Sequence, residues 1–73
     1  MNKALLKSIM TLYGDTVNDM AQFLCLTPQS VYYKMNETKM PSGKKAEFGQ
    51  GEIKRIKERY NLSPEQVEEI FFN

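Results

Sequence analysis

The chain has 73 residues, a formal net charge of +1, one cysteine and no histidine. That inventory excludes an intrachain disulfide and a Cys/His zinc site, and so small a net charge does not by itself point to an anionic partner. With 41% hydrophobic and 26% charged residues the composition is that of a folded globular chain, long enough for one small domain (1–73) that buries only about 60% of its unfolded surface.

The opening MNKALLKSIMTLYGD has no long apolar run and no cleavage site, so it does not read as a signal peptide. No stretch approaches the ~18–20 apolar residues of a membrane span. The unpaired cysteine suits a reducing compartment, and a cytoplasmic location is expected.

Residues 3–13 read as a first helix. Leu5, Ile9 and Leu12 fall on one stripe and Leu6, Met10 and Tyr13 on its neighbour. Gly14 ends it, because glycine takes the left-handed conformation readily. A second helix begins at Thr16, which has capping-box spacing to Asp19, and carries Val17, Met20, Ala21 and Leu24 inward. A third starts at Thr27. Its hydroxyl can cap a free N–H, Pro28 at the first helical position loses nothing by lacking one, and Leu26 and Val31 have the spacing of a hydrophobic staple.

Residues 37–49 read as a loop with a Pro41-Ser42-Gly43 turn, whose flanks could pair as a short hairpin. The fourth helix covers residues 50–60 with Ile53, Ile56 and Tyr60 inward, and Asn61 suits a left-handed cap. The fifth repeats the device of the third: Ser63 cap, Pro64 first, Gln66 closing a capping box, Leu62 stapled to Val67, and Val67, Ile70 and Phe71 inward. The expected fold class is therefore all-α, a compact domain of five short helices. The methionines at helical positions read as core filler, and Cys25 as an inert, semi-buried thiol.

The two capped helices differ in charge. LSPEQVEEIFF carries Glu65, Glu68 and Glu69, whereas LTPQSVYYKMN carries no acid. The outer positions of the third helix are Gln29, Ser30, Tyr32, Tyr33, Lys34 and Asn36, all able to hydrogen-bond. A carboxylate beside a phosphate backbone is repelled, while amides, hydroxyls and amines bond to phosphates or base edges. Charge is skewed the same way: residues 27–45 hold four lysines against one glutamate, residues 46–73 four basic against six acidic residues.

The turn from Leu24 to Thr27 is short enough to force a sharp crossing, and Ala21 is small enough to let two helices approach. TVNDMAQFLCLTPQSVYYKMN resembles the helix-turn-helix of the lambda-repressor and Cro-like (XRE-type) family. The resemblance lies in the alanine, the L-x-L pair, the hydroxyl cap, the valine and the Y-x-K-M-N ending. EFGQGEIKRIKERYNLSPEQVEEIFF is similar to the segment that follows the recognition helix in small phage regulators, so the likeness spans about residues 3–73. Two departures stand out. Cys25 replaces the usual turn glycine, and Glu37 with the insertion TKMPSGKKA follows Asn36.

The resemblance implies a lambda-repressor-like domain with the helix-turn-helix at helices two and three, and a phage or prophage Cro-like repressor occupying double-stranded DNA. Thr27, Pro28, Gln29, Tyr32 and Tyr33 would face bases in the major groove; Thr16, Asn18, Ser30 and Lys34 would meet phosphates. Lys39, Lys44 and Lys45 join the phosphate set on charge alone. A pseudo-palindromic operator with half-sites about 34–36 Å apart would take two copies, as a homodimer or as a pair completed on DNA. Phe71 and Phe72 are the dimer candidates, Phe72 having the alternative of packing on the first helix. Either tyrosine could instead be structural, and the loop lysines simply solvated. The different-class alternative is a protein-binding adaptor or antirepressor that keeps the fold without specific DNA binding. No enzyme, cofactor or metal is expected: there is no histidine, phosphate loop or ligand cluster.

Overall fold

Four hydroxyl- or amide-capped starts and one glycine-led start set the helices. In the computed structural model, which describes residues 1–72, they are α1 (Lys3–Leu12), α2 (Val17–Leu24), α3 (Pro28–Met35), α4 (Gln50–Arg59) and α5 (Pro64–Phe71). Asn2 Oδ1 accepts from the Leu5 amide, Thr16 and Asp19 form a capping box, and Thr27 accepts from the Ser30 amide. Ser63 and Gln66 form a second full box. At α4, Glu52 Oε1 accepts from the Gly49 amide at 2.9 Å. Each bond satisfies a donor the helix itself leaves open, and a capping side chain contributes about 1 kcal/mol.

Left-handed residues follow each of the first four helices, Glu37 (φ 50°) being the one after α3. Gly14 (φ +76°) follows α1, Asn61 (φ 50°) follows α4, and Cys25 (φ 58°, ψ 40°) ends α2. Cys25 therefore keeps the backbone conformation for which glycine is the easier residue, at a cost of about 1–2 kcal/mol. It is exposed rather than semi-buried, because a left-handed residue at the tip of so short a turn points its side chain away from the joint.

One core joins all five helices. Leu6, Met20, Val31, Met35, Ile56 and Ile70 are fully enclosed, with Ile9, Met10, Ala21, Leu24, Phe48, Tyr60 and Leu62 around them. The α2–α3 pair has the most extensive contact among the described helices, and Ala21 and Leu24 on α2 share one buried cluster with Val31 and Met35 on α3. Phe48 packs edge to face on Phe71, ring centroids 5.9 Å apart. Met10, Met20 and Met35 do fill core, while Met40 lies outside.

The first helix corrects the expectation. Its inward face is Leu6, Ile9 and Met10, so neither predicted stripe is buried whole, and Leu12 is 81% exposed. The core takes the seam between the two stripes. Tyr13 turns outward to stack edge-on against Tyr60 at 5.1 Å and donates its hydroxyl to the Tyr60 carbonyl. Ile53, Val67 and Phe71 are half-buried at the core margin.

Between α3 and α4 the chain makes the short hairpin. Lys39 and Lys45 form an isolated antiparallel bridge, the Ala46 amide donates to the Thr38 carbonyl and the Met40 amide to the Lys44 carbonyl. Among the described residues no helix is long and apolar enough to cross a membrane.

Candidate nucleic-acid interface

Thr27 fixes the start of α3 and, with it, the direction of every outward side chain. Its Oγ1 accepts from the Ser30 amide at 3.1 Å and donates to Ser30 Oγ at 3.0 Å. Val31 and Met35 are buried one turn apart, which turns the opposite side of the helix outward. Pro28, Gln29, Tyr32 and Tyr33 are all exposed, Tyr32 by 48% and Tyr33 by 38%. The hairpin does not cover them. The five residues expected to face bases thus share the cap and roughly the first two turns of one helix, on a surface open to solvent.

Within that surface Gln29 Nε2 donates to the Tyr33 hydroxyl oxygen at 2.6 Å. The residues lie one turn apart, where helical side chains meet. One N–H of the amide is used; the second N–H and Oε1 stay free, which is the donor–acceptor pair adenine presents a match for. The Tyr33 bond fixes the plane in which that pair is offered.

The residues expected to meet phosphate divide into engaged and free. Lys34 is engaged: its Nζ lies 2.8 and 2.9 Å from the two carboxylate oxygens of Glu52, on half-buried side chains. Thr16 Oγ1 and its amide both donate to Asp19 Oδ2, at 3.0 and 2.8 Å, so an acid already occupies the start of α2. Asn18 is exposed and Ser30 half-exposed beside its Thr27 bonds. Lys39, Lys44 and Lys45 are exposed on the hairpin.

Sequence reasoning missed two long-range partners at the far end of α3. Lys3 Nζ donates to Asn36 Oδ1 at 2.6 Å, and the Met1 ammonium pairs with the Glu37 carboxylate. That ammonium, through its hydrogen bond, holds the Glu37 carboxyl below the usual carboxylate range. The start of α1 therefore clamps the end of α3. Nothing local signals this, since the partners are more than thirty residues apart.

Away from α3, Asp15 takes Arg59 Nε at 2.8 Å, Arg59 Nη2 at 3.0 Å and the Tyr60 hydroxyl at 2.7 Å. Arg59 also lies 4.8 Å above the Phe23 ring. The guanidinium, then the phenol, lower the Asp15 pKa; burial and the bond to Asp15 raise that of Tyr60. This knot ties the α1–α2 turn to α4 and stands apart from the α3 surface.

The dimer candidates behave differently from one another. Phe71 is half-buried on Phe48, whereas Phe72 is 67% exposed. Among the described residues no three His, Cys, Asp or Glu gather as metal ligands. Comparison with protein-family models, curated proteins and solved structures found no match for this chain.

Proposed function

We infer that the protein is a sequence-specific double-stranded DNA-binding regulator of the Cro-like kind, with α2 and α3 acting as a lambda-repressor-like helix-turn-helix and α3 entering the major groove. The observation that carries this is the outward face of α3. From Thr27 to Asn36 there is no acid, and Pro28, Gln29, Tyr32 and Tyr33 stand open. Gln29, planar and held by Tyr33, pairs with adenine; a bidentate contact of that type discriminates by about 1–3 kcal/mol. The Tyr32 ring meets a thymine methyl and its hydroxyl a phosphate. Two copies on a pseudo-palindromic site supply the contacts one small domain lacks, and occupancy of the operator is the mode of repression.

Selection of bound duplexes from a randomised pool tests the reading. A two-fold symmetric motif is expected, and Gln29→Ala should weaken preference for it more than it weakens binding to unrelated duplex. Recovery of no motif would remove the proposal.

A second reading, the protein-binding adaptor or antirepressor, draws support from the acids at two assigned phosphate contacts. Glu52 holds Lys34 and Asp19 holds Thr16. On that reading the same α3 face meets a protein, and binding to duplex DNA is absent even at low salt.

A further inference from the structure

The hairpin that follows α3 has an electrostatic arrangement that does nothing for the fold. Its bridge sets Lys39 directly opposite Lys45, which places two ammonium-bearing side chains on one face of the ribbon, Cβ atoms about 4.5–5.5 Å apart. Like charges in that relation destabilise a strand pair. Lys44 adds a third charge next to the turn. Among the described residues none of the three has an ion-pair or hydrogen-bond partner. The acids at the base relieve them little: Glu37 is paired with the Met1 ammonium and feels Lys45 only as a lesser influence, and Glu47 lies outside the paired segment.

Burial does not hold the ribbon out either. Every residue from Lys39 to Lys45 is exposed. It is shaped by backbone geometry alone. The Gly43 amide donates to the Met40 carbonyl at 2.8 Å and the Met40 amide to the Lys44 carbonyl at 2.7 Å, around a Pro-Ser-Gly loop in which Gly43 has φ +89°. Three-residue hairpin loops of this kind need a left-handed residue at that place. At its root the ribbon is continuous with α3, since the Thr38 amide donates to the Tyr33 carbonyl at 2.9 Å. A lysine-bearing arm of fixed shape is thus hydrogen-bonded to the last turn of the helix that presents Gln29 and Tyr33.

We propose that the 38–46 hairpin is a second DNA-contacting element, a basic ribbon gripping the phosphates of the strand that borders the groove entered by α3. The inference rests on the α3 reading above and adds a division of labour to it: α3 reads sequence, the ribbon supplies sequence-independent affinity. Ser42 at the tip lies four positions beyond Thr38, an upper limit on reach of roughly 13 Å, of the order of the ~12 Å width of the major groove. Phosphates facing Lys39 and Lys45 turn their mutual repulsion into a shared attraction. The same division accounts for Lys34 being free to serve as a structural ion pair with Glu52, because the phosphate contacts come from the arm.

The test compares the full chain with a Lys39→Ser/Lys44→Ser/Lys45→Ser variant and a variant carrying arginine at the same three positions. The probes are a duplex recovered from the randomised pool and a scrambled duplex, titrated across a salt series. Each phosphate neutralised contributes about 0.9 to the slope of log affinity against log salt. The serine variant should lose about 2–3 from that slope on both duplexes, keep the ratio of selected to scrambled affinity, and unfold no lower than the parent, since the Lys39–Lys45 repulsion is removed; the arginine variant should keep the parent's slope. An unchanged slope in the serine variant, with site preference intact, overturns the ribbon and leaves α3. Loss of site preference in the parent, with the slope still falling in the serine variant, overturns the α3 reading and retains the ribbon as a duplex contact. A parent that binds neither duplex overturns both.

Discussion

Lys34 Nζ on α3 sits between the two carboxylate oxygens of Glu52 on α4, and the same Glu52 Oε1 accepts the Gly49 amide that opens α4. One carboxylate therefore joins the α3 surface to the start of the next helix and holds in place a lysine that would otherwise be available to an anion.

Glu52→Gln separates the two roles. Glutamine can still accept from Gly49, so helix α4 keeps its start, while the ion pair is lost. Stability at neutral pH should fall by about 1 kcal/mol, at the upper end for a partly exposed pair. Duplex affinity should rise several-fold as Lys34 is released. Urea unfolding and fluorescence anisotropy measure the two effects; a fall in affinity matching the fall in stability would show that Lys34 never meets phosphate.

The Asp15 carboxylate makes stability depend on acid. Arg59 and then Tyr60 hold its folded pKa below the ordinary 3.8. A depressed carboxylate stabilises the fold at pH values above its unfolded pKa, and that contribution disappears as pH falls through the folded value. The parent should thus lose stability more steeply than Asp15→Asn below about pH 4. At pH 7 the variant should be the less stable, because only it lacks the charge facing Arg59. Parallel unfolding curves for the two proteins from pH 6 to pH 2.5 would contradict this (the range being chosen to bracket the carboxylate values).

The two C-terminal phenylalanines should part company on truncation. Phe71→Ala removes a half-buried ring set edge-on to Phe48 and should cost about 2 kcal/mol. Phe72→Ala removes an exposed ring and should change stability by less than about 0.5 kcal/mol. If Phe72 lies between copies on DNA, its removal reduces cooperativity on a double site without altering affinity for a half-site. Gel-shift titrations of one- and two-half-site duplexes give that comparison.

Cys25→Gly should stabilise the protein by about 0.5–1 kcal/mol. The substitution relieves the left-handed strain at φ 58° and gives back part of the gain as chain entropy in the unfolded state. Because the side chain is exposed, no packing is lost. A destabilised glycine variant would mean that the thiol makes a favourable contact in the turn.

The local devices were legible in the sequence and the distant ones were not. Thr27-Pro28, Ser63-Pro64-x-Gln66 and the left-handed Asn61 are each settled within four residues, where hydrogen-bond geometry depends on the chain itself. The Pro41-Ser42-Gly43 turn is of the same kind. Leu12 could not be placed, because two adjacent stripes run along α1 and only the position of its neighbours selects the seam through Leu6, Ile9 and Met10. Lys34 with Glu52 and Asp15 with Arg59 are 18 and 44 residues apart; no spacing rule reaches that far. The α3 surface was legible as chemistry, an absence of acids, while the Gln29–Tyr33 bond that orients it needed coordinates.

The amide of Asn2 donates to the carbonyl of Ile70 at 2.6 Å, and Lys3 next to it reaches Asn36. Backbone from the beginning of α1 is in this way stitched to the last turn of α5 and, one residue on, to the rim of α3. Peeling of either outer helix must rupture the shared bond, so hydrogen exchange at Asn2 and at the Phe71–Phe72 peptide should report one opening event rather than two fraying ends. Whatever loosens that seam also slackens the helix on which Gln29 is displayed.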